Sequence, residues 1–155
     1  MSLRYSLDSS ALIGAWYRRL PPDVVPSFWD HIDKKVASGE VGCIDEVKTE
    51  LSKKTDALFV WVKARSGLVV PMSPAILTSA QRIVNAFPTL TQPNSTRDTA
   101  DPYVIALAEC TGATVVTEEQ PSATQKRVKI PDVCNALGIA CLDVYDFVRA
   151  EGWRY

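Results

Sequence analysis

Four acidic residues stand at the ends of separate apolar segments of the sequence. Asp8 closes SLRYSL, Glu50 lies in IDEVKTEL, Asp101 opens DPYVIALA and Glu119 closes TVVTEE. Because a parallel α/β sheet gathers the carboxyl ends of its strands along one edge, carboxylates from distant positions can converge there. Carboxylate oxygens are the hard ligands that Mg²⁺ and Mn²⁺ prefer. The pattern therefore makes a divalent-metal site the leading hypothesis.

Such a site suits phosphodiester hydrolysis, since two carboxylate-bound ions roughly 3.5–4 Å apart can activate water and stabilise the leaving oxygen. This chemistry needs no histidine. The chain has only His31, inside the helix-like segment FWDHIDKK, where we expect a surface or half-buried role. A ribonuclease with paired histidines is thus excluded. The sequence has no GxxxxGK[ST] phosphate-binding loop and no GxGxxG dinucleotide-binding fingerprint. It also has no GxSxG elbow, so serine-nucleophile chemistry has no support.

Each acid also has a purely structural explanation. Asp8 and Asp101 could cap helices, and Glu50 could be a solvated helix residue. Glu118 and Glu119 begin a polar loop. These explanations must all hold at once, whereas one metal site accounts for the four acids together.

Length and composition indicate a single folded domain over residues 1–155, with 46% hydrophobic and 23% charged residues. The net charge of −1 argues against a generally basic nucleic-acid coat but allows a local basic patch. With no signal peptide and no apolar run of about 18–20 residues, we expect a cytoplasmic protein without membrane contact. No CxxC occurs, so the sequence predicts small buried thiols rather than zinc or disulfides at Cys43, Cys110, Cys134 and Cys141.

Strand-like and helix-like segments alternate along the chain, which predicts a parallel sheet with right-handed crossovers. The expected strands are LRYSL, VGCI, ATVVT and IACLD, and amphipathic or capped helical segments separate them. A helix is expected to have Asp101 at its N-cap, Pro102 at its first position and Gly112 past its end. Two polar loops, PTLTQPNSTRDTA and EEQPSATQKRVK, lie just before Asp101 and around Glu119.

Several segments resemble the PIN-domain family. YSLDSSALI resembles the opening strand and first acid of that family, and EVKTEL resembles its V-x-x-E-L segment. ADPYVIALAECTGATVVTEE resembles the block with its third and fourth acids, and this is the most specific match. The tail KIPDVCNALGIACLDVYDFV resembles the ending of a PIN-like branch whose genes lie beside antitoxin genes. The resemblance covers nearly the whole chain.

The resemblance implies a three-layer α/β/α fold and a Mg²⁺- or Mn²⁺-dependent ribonuclease, commonly a VapC-like toxin of a toxin–antitoxin pair. Asp8, Glu50 and Asp101 match the three core metal-binding acids. Glu119 matches the fourth position, where many members have the shorter Asp. Three further acids remain open as additional or replacement ligands: Glu46, Asp98 and Glu118.

We therefore expect an endoribonuclease that cleaves single-stranded or loop RNA with metal-activated water. The alternatives are a catalytically silent PIN-like binding module and a metal-dependent DNA nuclease, because RNA and DNA present the same phosphodiester. An antitoxin would insert a cation among the acids or cover the aromatic surface of Trp16, Phe28 and Trp29. The sequence leaves a homodimer open.

Two further sets of side chains could assist such a site. Hydroxyls that could orient ligands or water belong to Ser9, Ser10 and Thr117. Cations that could contact phosphates belong to Arg18, Arg19, Lys53, Lys54, Lys126, Arg127 and Lys129.

Overall fold

The computed structural model of the chain describes residues 2–91, 100–122 and 127–155. Within these ranges, five short strands alternate with helices along the chain. The strands are β1 (Tyr5–Leu7), β2 (Val41–Ile44), β3 (Val69–Val70), β4 (Thr114–Val116) and β5 (Cys141–Leu142). The helices are α1 (Ser9–Gly14), α2 (Pro26–Ala37), α3 (Asp45–Leu51), α4 (Ala57–Lys63), α5 (Pro74–Ala86), α6 (Asp101–Thr111), α7 (Ile130–Leu137) and α8 (Val144–Glu151).

The strands form one parallel sheet in the order β3-β2-β1-β4-β5. From β1 the chain first adds strands on one side, through β2 and β3, and later adds β4 and β5 on the other. The direction of strand addition therefore reverses between β1 and β4, which is where open α/β sheets have a crevice at their carboxyl edge. Helices cover both faces, so the predicted three-layer α/β/α fold with a central parallel sheet is confirmed.

Side-chain alternation along β1 separates the two faces of the sheet. Tyr5 packs edge-on against Phe147 of α8, with ring centroids 4.6 Å apart. Ser6 points to the opposite face, where its hydroxyl donates to the carbonyl of Val104 in α6 at 3.0 Å. Asp8 continues the extended backbone, with φ −81° and ψ 156°. The alternation therefore directs Asp8 to the same face as Ser6, towards α6.

Two features of the structure were not predicted from the sequence. The short β3 was not predicted, because two residues are too few to show an alternating pattern. The helix that begins after Asp8 continues as a π-helical turn over Ala15–Arg19 and ends at Leu20, just before Pro21, which no sequence pattern indicated.

The aromatic residues of the first helices pack in the core, which leaves a cation among the acids as the other way in which an antitoxin was expected to bind. Phe28 and Trp29 are buried, and Trp16 packs edge-on against Trp29 with centroids 4.9 Å apart. The indole N–H of Trp29 donates to the buried carbonyl of Leu20 at 2.7 Å. Because its polar group is satisfied inside the chain, this aromatic cluster belongs to the core rather than to a partner surface.

The remaining structural expectations have mixed outcomes. All four cysteines are free thiols, and the expectation that they are buried is confirmed for Cys43 and Cys134. It is wrong for Cys110, which is exposed, and for Cys141, which is half-buried. His31 is half-buried as expected: its ring stacks on Trp153, and its Nδ1 lies 2.6 Å from the hydroxyl of Tyr155. None of the helices in the described ranges is long and apolar enough to cross a membrane.

Candidate functional site

The candidate site lies at the carboxyl ends of the two central strands, where the order of the sheet reverses. Asp8 follows β1 directly, and Thr117 follows β4 directly. Both side chains are buried. The sheet ladder extends to both residues, since the Asp8 N–H donates to the Val116 carbonyl and the Thr117 N–H donates to the Leu142 carbonyl. Their backbones are therefore fixed by the sheet.

Asp8 is held by hydrogen bonds to both of its carboxylate oxygens. Its Oδ1 accepts from the Ser9 N–H at 2.9 Å, which also caps α1. Its Oδ2 accepts from the hydroxyls of Ser10 at 2.6 Å and Thr117 at 2.8 Å. Burial raises the pKa of Asp8, and these hydrogen bonds oppose that rise because they favour the ionised form. The expected capping role is thus confirmed, together with a wider network of donors.

The same hydroxyls tie the loop after β4 to the start of α1. The N–H of Glu118 donates to the Ser10 hydroxyl at 3.0 Å, and the N–H of Glu119 donates to the Thr117 hydroxyl at 3.1 Å. Ser10 and Thr117 therefore position Asp8 and the two glutamates at once. Ser9 contributes its backbone N–H to the network.

Asp101 does not cap α6, so its predicted position is wrong by one residue. Ala100 occupies the N-cap, and Asp101 is the first residue of the helix. The Asp101 carboxyl is buried and hydrogen-bonds to Glu119, with Asp101 as donor. Burial and the charges of Asp8, Glu119 and Glu50 raise the pKa of Asp101 strongly. Helix capping therefore does not explain this acid.

Glu50 reaches the same group of acids from α3. Burial, followed by the charges of Asp8 and Glu119, raises the pKa of Glu50 to about 7, although Lys53 partly opposes the rise. The Ala100 N–H donates to the Glu50 carboxylate. Its buried Oε1 has no hydrogen-bond partner among the described residues. Such an oxygen carries a desolvation cost that a bound cation would offset.

Glu119 connects the acids to α7. Burial and the charge of Asp8 raise its pKa, while the Ile130 N–H at the start of α7, Lys129 and Asp101 oppose that rise. The charge of Asp8 raises the pKa values of Glu50, Asp101 and Glu119, so the three acids lie in its neighbourhood. That the four share a metal ion stays a prediction.

The four carboxylates do not form a ready-made metal site. In residues 2–91, 100–122 and 127–155, no group of three or more His, Cys, Asp or Glu side chains has metal-holding geometry. The hydrogen bond between Asp101 and Glu119 turns these two carboxyls towards each other and uses oxygens that could otherwise bind a cation. Hard oxygen donors and the unpaired Oε1 of Glu50 nevertheless fit Mg²⁺ or Mn²⁺ chemically.

Comparison with known proteins now places the chain. A family described as a domain of unknown function, DUF4411, matches residues 5–155. The chain belongs to this family. No curated protein matches it significantly.

Two solved structures illustrate what this DUF4411 protein is similar to. One is a structure of FitAB bound to the IR36 DNA fragment, with a TM-score of 0.54 and 16% identity, covering 91% of this chain and 95% of that one. Another is PAE2754 from Pyrobaculum aerophilum, with a TM-score of 0.43 and 14% identity, covering 89% of this chain and 98% of that one. At such identities the likeness to FitAB shows the fold alone.

Of the three other acids, two can be placed in the DUF4411 chain. Glu118 packs its Cγ over Gly14, where an added Cβ would lie 2.8 Å away, and its Oε1 lies 3.6 Å from Nε of Arg19. Glu46 has a buried Oε2 without a hydrogen-bond partner in the described part of the chain. Asp98 lies outside the described residues.

The predicted phosphate-contacting cations surround the site unevenly. Arg19 lies near Glu118 and also stacks over the ring of Tyr145, while Arg18 is exposed. Lys53 and Lys54 line a groove that Glu50 also lines. Lys126 lies outside the described residues, and Arg127 and Lys129 precede α7.

Sequence reasoning missed two clefts that border the acids. The first has a volume of about 440 Å³ and is lined by Thr117, Glu119, Cys141 and residues of the β5–α8 connection. The second is the groove at Glu50, about 610 Å³, with Ile13, Tyr17, Leu51 and Leu58 among its lining residues. The available sequence signal was the pair Ile13 and Tyr17, two large apolar residues four positions apart, which places them on one side of a helix. Both are exposed, whereas Ala11, Leu12 and Ala15 are buried in the core.

Proposed function

We propose that this protein is a metal-dependent endoribonuclease and the toxin component of a toxin–antitoxin pair. One observation carries the proposal: acids from four separate segments approach one another at the reversal point of the sheet. Within the described residues Glu50 Oε1 has no hydrogen-bond partner, and the charges of Asp8, Glu119 and Glu50 raise the pKa of Asp101 beyond the effect of burial. The PIN-like fold supports the same interpretation.

The residues that would hold Mg²⁺ or Mn²⁺ are Asp8, Glu50, Asp101 and Glu119. When bound, the metal would supply Lewis-acid stabilisation and water of lowered pKa for phosphodiester hydrolysis. The side chains hold charge and do not attack covalently.

Asp8 is the fixed member of this group. Its two oxygens already accept three hydrogen bonds from Ser9, Ser10 and Thr117, which orient the carboxylate and favour its ionised form. Burial raises the pKa values of all four acids, and a bound cation would favour their ionised forms.

An antitoxin is the proposed protein partner. FitAB, which has the same type of fold, is a PIN-domain toxin–antitoxin complex. The groove beside Glu50 has an apolar floor, with Ile13 42% exposed and Tyr17 50% exposed. An apolar helix in this groove would cover these side chains and pass close to Glu50, in reach of a cation from the partner. The substitution Ile13→Asp should weaken such a complex without lowering nuclease activity.

The decisive experiment is a cleavage assay on a pool of cellular RNA, with the purified antitoxin-free protein in Mg²⁺ or Mn²⁺ and with the cleaved ends mapped. We expect metal-dependent cleavage that EDTA abolishes. Asp101→Asn and Glu50→Gln should remove activity, whereas the matched variant Glu46→Gln should keep most of it. Loss of activity in Glu46→Gln with retention in Glu50→Gln would mean that the wrong face of α3 has been assigned.

A parallel arm with single-stranded DNA of the same sequence separates ribonuclease from deoxyribonuclease activity. Cleavage of DNA alone would replace the proposal by the DNA-nuclease alternative. Cleavage of neither polymer, with a stable complex between the protein and its genomic neighbour's product, would identify a catalytically silent binding module.

A further inference from the structure

A cleft opens beside the candidate site at the carboxyl ends of β4 and β5. Its volume is about 440 Å³, within the roughly 300–1,000 Å³ of small-molecule sites. Thr117 and Glu119 line the cleft, and the Thr117 hydroxyl donates to Oδ2 of Asp8 at 2.8 Å. Thr117 therefore borders the cleft and touches a proposed metal ligand at once. A group bound in the cleft would lie next to the acids.

Part of the cleft lining is apolar. It includes Pro121, Pro131, Ile139 and Leu142, and the last two are half-buried. A nucleobase is flat, with apolar faces, and proteins that read single-stranded RNA splay a base out and hold it between apolar or aromatic side chains. The apolar part of the lining therefore suits the faces of a base.

The charged part of the lining is acidic. Four carboxylates line the cleft, and among the described lining residues there is no Lys or Arg: Glu119, Asp132, Asp143 and Asp146. Lys53 and Lys54 instead line the other groove, together with Glu50. Because phosphates are anionic, we expect the RNA backbone at that groove and not in this cleft. The cleft suits a neutral group that carries N–H donors.

Backbone N–H groups hold two of the four carboxylates in place. Oδ2 of Asp132 accepts from the N–H of Ser122 at 3.0 Å and from the N–H of Lys129 at 2.8 Å. Asp143 is the N-cap of α8, where its Oδ1 accepts from the Asp146 N–H at 2.8 Å. The cap uses one oxygen of Asp143, and Oδ2 is left for a ligand. Asp143 is thus a half-buried acceptor whose orientation the helix fixes.

The four bases of RNA differ in what they offer to such an acceptor. Adenine, cytosine and guanine each carry an exocyclic amino group, which donates well to a carboxylate. Uracil has a single N3–H donor between two carbonyl oxygens, which a carboxylate repels. Asn135 of α7 also lines the cleft, and its amide can both donate and accept. The polar lining therefore favours a base with an amino group.

We propose that this cleft binds one base of the RNA substrate and that Asp143 selects a base with an exocyclic amino group over uracil. The inference rests on the proposed nuclease function for its substrate class. The amino group donates to Oδ2 of Asp143, whereas uracil leaves this oxygen facing a carbonyl. We expect uridine to be disfavoured at least about fivefold at this position, the lower end of the discrimination that a good base contact gives.

The first experiment sequences the ends that the purified protein produces from a random single-stranded RNA pool in Mg²⁺ or Mn²⁺. Uridine should be depleted at least about fivefold at one position, at a fixed distance from the cut. Asp143→Asn keeps a good N-cap for α8 and adds an amide donor that matches the O4 oxygen of uracil. This variant should lose the depletion of uridine at that position alone. Asp30→Asn makes the same change of charge on α2, outside the cleft, and should keep the wild-type base usage.

The second experiment measures binding without cleavage. Saturation-transfer NMR detects adenosine, cytidine, guanosine and uridine on the protein in EDTA, and spermidine serves as a cationic competitor. Nucleosides carry no phosphate, so the signal reports the base site and not the backbone groove. We expect saturation transfer to the three nucleosides with an amino group and much less to uridine. In Asp143→Asn, uridine should reach the level of the others.

The two experiments separate failure of the base site from failure of the nuclease. Cleavage with equal use of uridine at every position near the cut would overturn the base site and leave the nuclease standing. Nucleoside binding with the expected preference, but without cleavage, would support the base site and refute the nuclease. Absence of both would overturn both.

Two further results would count against the role of the cleft. Depletion of uridine that persists in Asp143→Asn would show that another group reads the base. Binding of spermidine with none of the four nucleosides would show that the carboxylates hold a cation instead. Either result would overturn the proposal.

Discussion

Replacing Glu50 by Gln should stabilise the metal-free protein at alkaline pH. Burial first, and then the charges of Asp8 and Glu119, raise the pKa of Glu50 from 4.5 to about 7. A carboxyl whose folded pKa exceeds its unfolded value destabilises the fold once it ionises. The penalty is absent below about pH 4.5, grows between pH 4.5 and about 7, and is complete above that.

The size of the effect follows from the pKa rise. Each pKa unit corresponds to about 1.4 kcal/mol, so the rise to about 7 gives at most about 3 kcal/mol. Glu50 is partly accessible to solvent, which screens its interactions, and we therefore expect about 1–2 kcal/mol. Glutamine keeps an acceptor for the Ala100 N–H while it removes the charge. The free energy of unfolding of Glu50→Gln should thus exceed that of wild type by this amount at pH 8 and match it at pH 4.

Urea denaturation in EDTA, followed by tryptophan fluorescence at pH 8, 6 and 4, measures the difference. A gain of 1–2 kcal/mol should raise the urea midpoint by about 0.5–1 M at pH 8. The matched control is Glu46→Gln, one turn earlier on α3, which should show a smaller dependence on pH. Equal stabilisation in both variants, or a loss of stability in Glu50→Gln at every pH, would refute the view that Glu50 belongs to a crowded acidic group.

Three other measurements test the surroundings of the site. Mg²⁺ at a hundredfold excess over its Kd should stabilise wild type by about 2.7 kcal/mol and so raise its melting temperature. In Asp101→Asn, Mg²⁺ should raise the melting temperature by less. Thr117→Val removes the hydroxyl network and should cost about 1–3 kcal/mol in urea unfolding, whereas Thr114→Val at the start of β4 should be near neutral. Gly14→Ala should destabilise wild type by crowding Glu118, but it should be neutral or stabilising by up to about 1 kcal/mol in a Glu118→Ala background.

Periodicity predicted most of the fold because long segments carry enough residues to show it. Four strands were identified as short apolar segments, and the helices between them from helical patterns. The prediction that these strands form a parallel sheet is confirmed. The pattern failed where it had little to act on. Strand β3 has two residues and depends on pairing with β2, and the start of α6 is shifted by one residue because Ala100 can occupy an N-cap position without a capping side chain.

The residue pattern after β4 does not say which of two neighbouring acids turns towards Asp101. Glu118 and Glu119 are adjacent after β4, and their roles diverge through contacts with distant residues. Glu118 packs over Gly14 and pairs with Arg19, while Glu119 meets Asp101 and the start of α7. Nothing in a Glu-Glu pair encodes this choice.

Glu151 and Glu50 show two different environments for a buried carboxylate in this chain. Glu151 is another buried acid, with a side chain 4% exposed, and it accepts from the Tyr5 hydroxyl at 2.6 Å and pairs with Lys35 at 3.1 Å. Burial would raise its pKa, but these partners outweigh burial and lower it. Glu50 is also buried in part, yet acids surround it and its Oε1 has no partner within the described chain. Cationic and hydroxyl partners therefore compensate the charge of Glu151 inside the fold. The charge of Glu50 at the reversal point of the sheet is not compensated in this way, so a bound cation would stabilise it.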